Sequence, residues 1–332
     1  MLFKIVIVLI LSFSVAIFVF SFIMTYYIIN YDPFHKWADK LAKNHDSTEK
    51  IFILGSSQVQ AINVTYVENI LLNEGYNYVI YDLGVGGDLP SKRLGDIDRI
   101  ISLHPSIIVY GVGFRDVERN KQSMSPLGTT TKSVTQNILP TPKILDEQTI
   151  LSLQQNEFVN KILSSPKLIS IKLFNYLIRG DFGYGYVDIG INPKWPLISP
   201  VTINVLPTVE EIEQKFENNP IVFRGIDNME NNKEFLALDK NIKKLKSHNI
   251  DVILYSVPYH RLLLNGISNS DKLLFTSTLE KIANENNATL YLLHEKYSDM
   301  PVWLDPFHLG YNKNTKIYTD DIAQFISDEI KS

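Results

Sequence analysis

The sequence predicts a three-layer α/β domain on a parallel sheet, carrying a long insertion and preceded by one transmembrane helix. Three observations lead there. The first thirty residues hold an unbroken apolar run, short continuous apolar segments then alternate with helical patterns, and one long stretch breaks that alternation.

From Ile5 to Ile29 the chain carries no charge, and only Ser and Thr interrupt its apolar residues. At about 1.5 Å per residue the run exceeds the roughly 30 Å of bilayer hydrocarbon. Tyr26, Tyr27, Tyr31 and Trp37 follow it, as residues of an aromatic interface belt would. Ser14-Val15-Ala16 is a small-x-small site, but cleavage there leaves a further apolar stretch behind it. The expectation is an uncleaved, single-pass anchor over residues 1–31, then a polar juxtamembrane linker at 32–49. Lysines flank the run on both sides (Lys4, then Lys36, Lys40 and Lys43), so flanking charge does not orient it.

Beyond the linker, Ile51–Leu54, Tyr78–Tyr81, Ile107–Tyr110, Val252–Tyr255 and the weaker Thr289–Leu292 read as strands. Continuous rather than alternating apolar runs suit strands covered on both faces. Helices are expected at Val59–Leu72, Leu94–Leu103, Leu236–Leu245, Leu273–Ile282 and Ile317–Ile330. The domain thus spans 50–331. Residues 118–236 lack periodicity and are too long for a structureless loop, so an inserted cap or subdomain is expected there.

The chain has 332 residues, 45% of them hydrophobic, which excludes disorder. It has no cysteine, which removes thiol catalysis, disulfides and Cys-based metal sites. Its histidines show no metal-ligand spacing, and no cofactor is expected. A net charge of -4 and a pI near 6.0 give no electrostatic reason to bind nucleic acid.

Three stretches fall at strand ends, where parallel α/β sheets place ligands. Gly55-Ser56-Ser57-Gln58 follows the first strand; a serine there is either an exposed nucleophile or a helix N-cap. Asp82-Leu83-Gly84-Val85-Gly86-Gly87-Asp88 follows the second, where glycines shape a turn or free N–H groups for a bound anion. Asp305-Pro306-Phe307-His308 precedes the last helix. A carboxylate three residues ahead of a histidine can fix its tautomer and leave Nε2 as a base.

Together these stretches resemble the blocks of the SGNH/GDSL hydrolase family. Gly55-Ser56-Ser57 stands where the family has Gly-Asp-Ser, Asp82–Asp88 where it has its glycine block, and Asp305-x-x-His308 where it has Asp-x-x-His. The resemblance covers roughly 50–117 and 237–331 and implies a flavodoxin-like, SGNH hydrolase-like sheet. It also implies a Ser57, His308 and Asp305 triad, with Ser57 and Gly87 as oxyanion-hole donors. Where the family has Gly-x-Asn-Asp, the chain reads Gly111-Val112-Gly113-Phe114-Arg115-Asp116, so the asparagine donor is missing. Gly113, Arg115 or a residue of the insertion is the candidate replacement.

A Ser-Ser block, an N-terminal anchor and a long insertion are most similar to the family's envelope branch. That branch includes proteins of teichoic-acid D-alanyl transfer and exopolysaccharide O-acetylation. The implied protein is a membrane-anchored esterase or O-acyltransferase acting on acyl esters of envelope or extracellular glycans, its soluble domain outside the cell. Its implied partners are the bilayer and an acyl-ester or glycan substrate. Two other classes stay open: a degenerate SGNH-fold protein that binds glycan or a partner, and a flavodoxin-like module whose glycine loop holds a phosphate.

Overall fold

A computed structural model describes residues 33–43, 48–119, 194–196, 205–218, 220–310 and 316–332. The chain divides into two compact units, and all described residues lie in the one formed by 33–124 and 186–332. The expected anchor and most of the expected insertion fall outside the described residues. Among the described residues no helix is long and apolar enough to cross a membrane.

Five parallel strands form one sheet in the order β2-β1-β3-β4-β5. They are β1 (Glu49–Leu54), β2 (Tyr78–Asp82), β3 (Ile107–Val112), β4 (Asp251–Ser256) and β5 (Thr289–Leu292). Ile51 to Leu54 and Val252 to Tyr255 are fully buried, because both faces of the central strands are covered. Right-handed crossovers dictate which helices lie where. β1 runs to β2 in one direction along the sheet, while β2 to β3, β3 to β4 and β4 to β5 run in the other. The helix after β1 (Val64–Asn73) therefore packs with the C-terminal helix (Ile317–Lys331) on one face. Helices Lys233–Lys246, Asn269–Asn286, Pro90–Arg93 and Ile97–Ile101 group together on the other.

Three elements differ from the sequence expectation. The helix expected over Val59–Leu72 breaks into a 3-10 turn (Ser57–Ala61) and an α-helix whose N-cap is Asn63, its Oδ1 accepting from Tyr66 N at 3.0 Å. The helix expected over Leu94–Leu103 shortens to Ile97–Ile101, and a separate short helix, Pro90–Arg93, precedes it. The third concerns the polar linker at 32–49. Residues Pro33–Lys43 form a helix whose Phe34, Trp37, Ala38 and Leu41 are buried. Those positions recur at i, i+3, i+4 and i+7, one helical face. Trp37, expected in a membrane interface belt, is 2% exposed and packs edge-on against Phe52 and Tyr81. This helix belongs to the domain core.

The two directions of crossover separate at β1 and β3. Open α/β sheets bind ligands beyond the strand ends at such a switch point. Ser57 follows β1, Gly113 follows β3, and the Gly84–Gly87 loop follows β2.

Candidate active site

β1 ends at Gly55, whose φ of +151° and close neighbours (a Cβ there would lie 2.9 Å from Gly111 O) admit no side chain. The chain turns there into the 3-10 segment that begins with Ser57. Ser56 takes the N-cap position but makes no side-chain cap bond; its buried hydroxyl donates to Gln58 Oε1 at 3.1 Å. Ser57 is left facing the cleft.

His308 arrives on a loop pinned from several sides. Leu304 N donates to His308 O at 2.8 Å, and Gly310 N donates to Val302 O at 2.9 Å. Trp303, 1% exposed, anchors the loop by donating from Nε1 to Tyr297 O at 2.8 Å. His260 packs edge-on against Trp303, and its Nδ1 accepts from Leu262 N at 3.2 Å as a helix N-cap. Its role there is structural.

On this frame Ser57 Oγ lies 2.8 Å from His308 Nε2, and His308 Nδ1 lies 2.8 Å from Asp305 Oδ2. The other carboxylate oxygen, Oδ1, accepts from the N–H groups of Phe307 (2.7 Å) and His308 (2.9 Å). Burial alone would raise the Asp305 carboxyl. The hydrogen bond and charge of His308, with the two backbone N–H groups, outweigh it and hold the group below its usual range. An ionised carboxylate only accepts, so Nδ1 carries the imidazole proton and Nε2 is free to accept from the serine.

The glycine loop is fixed from beneath. Asp82, fully buried at the end of β2, accepts from Gly84 N on Oδ1 at 2.7 Å. Arg93, 1% exposed, donates to Asp88 Oδ2 at 2.5 Å and to Leu83 O. The loop thereby presents Gly87 to the same cleft as Ser57. Among the described residues neither the Ser57 nor the Gly87 N–H has a hydrogen-bond acceptor.

The cleft encloses about 450 Å³, part of it open to solvent. Ser56, Ser57, Gln58, Gly87, Arg115, Asp116, Phe307 and His308 line it. Of the sequence candidates, Ser57, Gly87, Arg115 and His308 meet there, with Asp305 directly behind His308. Gly113 does not line it, and its N–H donates to Asp116 Oδ2 at 2.7 Å. The Arg115 guanidinium lies 5.0 Å over the Phe307 ring and 3.6 Å from Glu118. Gln58 was not singled out by the sequence reading. It carries no motif, and only its place after Ser57 pointed to it. Among the described residues there is no cluster of side chains suited to a metal ion.

No family model matches the chain, and no curated protein does. The solved structures it is similar to are SGNH and GDSL esterases and acylhydrolases. One is the psychrotrophic esterase EstA from Pseudoalteromonas sp., at 11% identity and a TM-score of 0.42, covering 86% of this chain and 100% of that one. Another is an acylhydrolase from Bacteroides fragilis, at 11% identity and a TM-score of 0.43, covering 90% and 95%. A third is a GDSL-like lipase from Bacteroides thetaiotaomicron, at 11% identity and a TM-score of 0.41, covering 90% and 96%.

Proposed function

We propose that the chain is an SGNH-type serine acyl hydrolase or O-acyltransferase, held at the membrane by its N-terminal apolar segment. Its substrates on this reading are acyl esters of cell-envelope or extracellular glycans. One observation carries the chemistry: Ser57 Oγ, the two nitrogens of His308 and Asp305 Oδ2 form a continuous chain with both links at 2.8 Å. The assignment to envelope glycans rests on the sequence resemblance.

In the first half-reaction His308 Nε2 takes the Ser57 proton as Oγ bonds to the ester carbonyl carbon. The carbonyl π pair moves to oxygen, where the N–H groups of Ser57 and Gly87 receive it. Asp305 orients the imidazole and stabilises its cation. The tetrahedral centre then expels the alkoxide, which takes the proton from His308, and an acyl-serine remains. In the second half His308 deprotonates water or a sugar hydroxyl, which removes the acyl group by the reverse steps. An esterase and a transferase differ only in that acceptor.

The full-length chain is expected to release p-nitrophenol from p-nitrophenyl acetate, and Ser57→Ala is expected to abolish the release. Unchanged turnover in Ser57→Ala would sink the proposal. Adding a glycan acceptor tests the two outcomes against each other: transfer shows as an acetylated sugar at the expense of free acetate. The glycine at position 113 favours one rival, a degenerate fold that only binds. That rival predicts no acyl turnover from a folded chain.

A further inference from the structure

Gly113 brings no side chain to the cleft, and its N–H is committed to Asp116. The space beside it is occupied. A Cβ at Gly113 would lie 2.3 Å from the Tyr259 hydroxyl, 2.7 Å from Val257 Cγ2 and 3.0 Å from Gln58 Oε1. The Gln58 side chain thus reaches the region that a side chain at 113 would fill, with its Oε1 nearest that position and its Nε2 on the side of Phe307 O. Gln58 is 7% exposed, yet it lines the cleft beside Ser57, Gly87 and His308.

We propose that Gln58 is the side-chain donor of the oxyanion hole, its Nε2–H completing a set of three with the N–H groups of Ser57 and Gly87. The assignment rests on Ser57 being the nucleophile. Ser56 Oγ donates to Gln58 Oε1 at 3.1 Å, which fixes the amide so that Nε2 is the donating end. In the free protein Nε2 donates to Phe307 O at 3.4 Å, a long bond to a neutral acceptor. An oxyanion is a charged one, and hydrogen bonds to ionised groups are roughly twice as strong. As the Ser57 Oγ–carbon bond forms and the serine proton passes to His308, the Nε2–H turns to the new charge. It donates a hydrogen bond and keeps its proton.

The test compares the full-length wild type with Gln58→Met and Gln58→Glu on two substrates, p-nitrophenyl acetate and its thiono analogue, in which sulfur replaces the carbonyl oxygen. Losing one oxyanion donor costs ~10²–10³-fold in kcat, and Gln58→Met is expected to lose that much on the oxygen ester with KM nearly unchanged. Sulfur accepts hydrogen bonds poorly, so the same variant is expected to lose less than tenfold on the thiono ester. Gln58→Glu keeps the length and the Ser56 acceptor, and its charge repels the oxyanion. It is expected to fall at least as far as the Met variant, and it carries the test if Gln58→Met does not fold. Equal losses of Gln58→Met on both esters would make Gln58 merely structural and overturn the assignment; so would either variant, folded, with wild-type kcat on the oxygen ester. A wild type with no turnover and no phosphonylation of Ser57 would instead remove the underlying reading.

Discussion

Replacing Asp82 by Asn makes the dependence of stability on pH a direct probe of the floor beneath the glycine loop. Asp82 is fully buried, its Oδ1 accepts from Gly84 N, and its Oδ2 has no hydrogen-bond partner among the described residues. Burial, opposed by the Gly84 N–H and the charge of Arg93, pushes its carboxyl from 3.8 up to about 7. The folded chain therefore holds a proton that the unfolded chain releases near pH 4. Stability from this group is complete below pH ~4 and is lost as pH rises through ~7. About 3 units at about 1.4 kcal/mol each amount to ~4 kcal/mol. Asp305, held below its usual range, responds oppositely, while Asp88, raised by burial, responds in the same sense. The informative quantity is thus the difference between Asp82→Asn and wild type. Asn keeps the acceptor for Gly84 and mimics the neutral acid. Urea unfolding at pH 4.5, 6 and 8 is expected to show the variant gaining on wild type by about 1.4 kcal/mol per unit up to ~7, then levelling. A difference that stays constant across those three pH values would refute the argument.

Three further outcomes follow from the packing and the site. Asp305→Asn keeps the loop but removes the charge that orients and stabilises the imidazolium; kcat on p-nitrophenyl acetate is expected to fall by ~10³–10⁴-fold while thermal unfolding moves little. Trp37→Ala is expected to cost ~3–5 kcal/mol in urea unfolding, whereas a linker residue outside the core would cost almost nothing. Gly113→Asn, which supplies the amide found in the related motif, is expected to destabilise the chain by ~1–3 kcal/mol and to lower rather than raise turnover, because Tyr259 and Gln58 fill that space.

The strands were legible because their apolar runs are continuous, and all five lie within two residues of their expected bounds. The meeting of Ser57, His308 and Asp305 was legible for a related reason: Ser57 and Asp305-x-x-His308 sit at chain positions that a parallel sheet brings to one edge. The helix at 33–43 was obscured by its setting. Its four core residues recur at helical spacing, but a preceding apolar run suggested a bilayer role for Trp37. Breaks inside helices depended on single residues. Asn63 caps a helix, and Asn287 ends one in the left-handed conformation at φ 51°. Gln58 was hidden because its placement depends on the missing side chain at Gly113 and on Tyr259, which is more than a hundred residues away in sequence.

The central claim is that His308 and Asp305 activate Ser57, and covalent capture tests it most directly. The full-length chain, Ser57→Ala and His308→Ala would each be treated with a fluorophosphonate and read by intact mass and peptide mapping. One phosphonyl group is expected on wild type, mapped to Ser57, and none on either variant. Label that persists in Ser57→Ala, or a folded wild type that takes none, would contradict it.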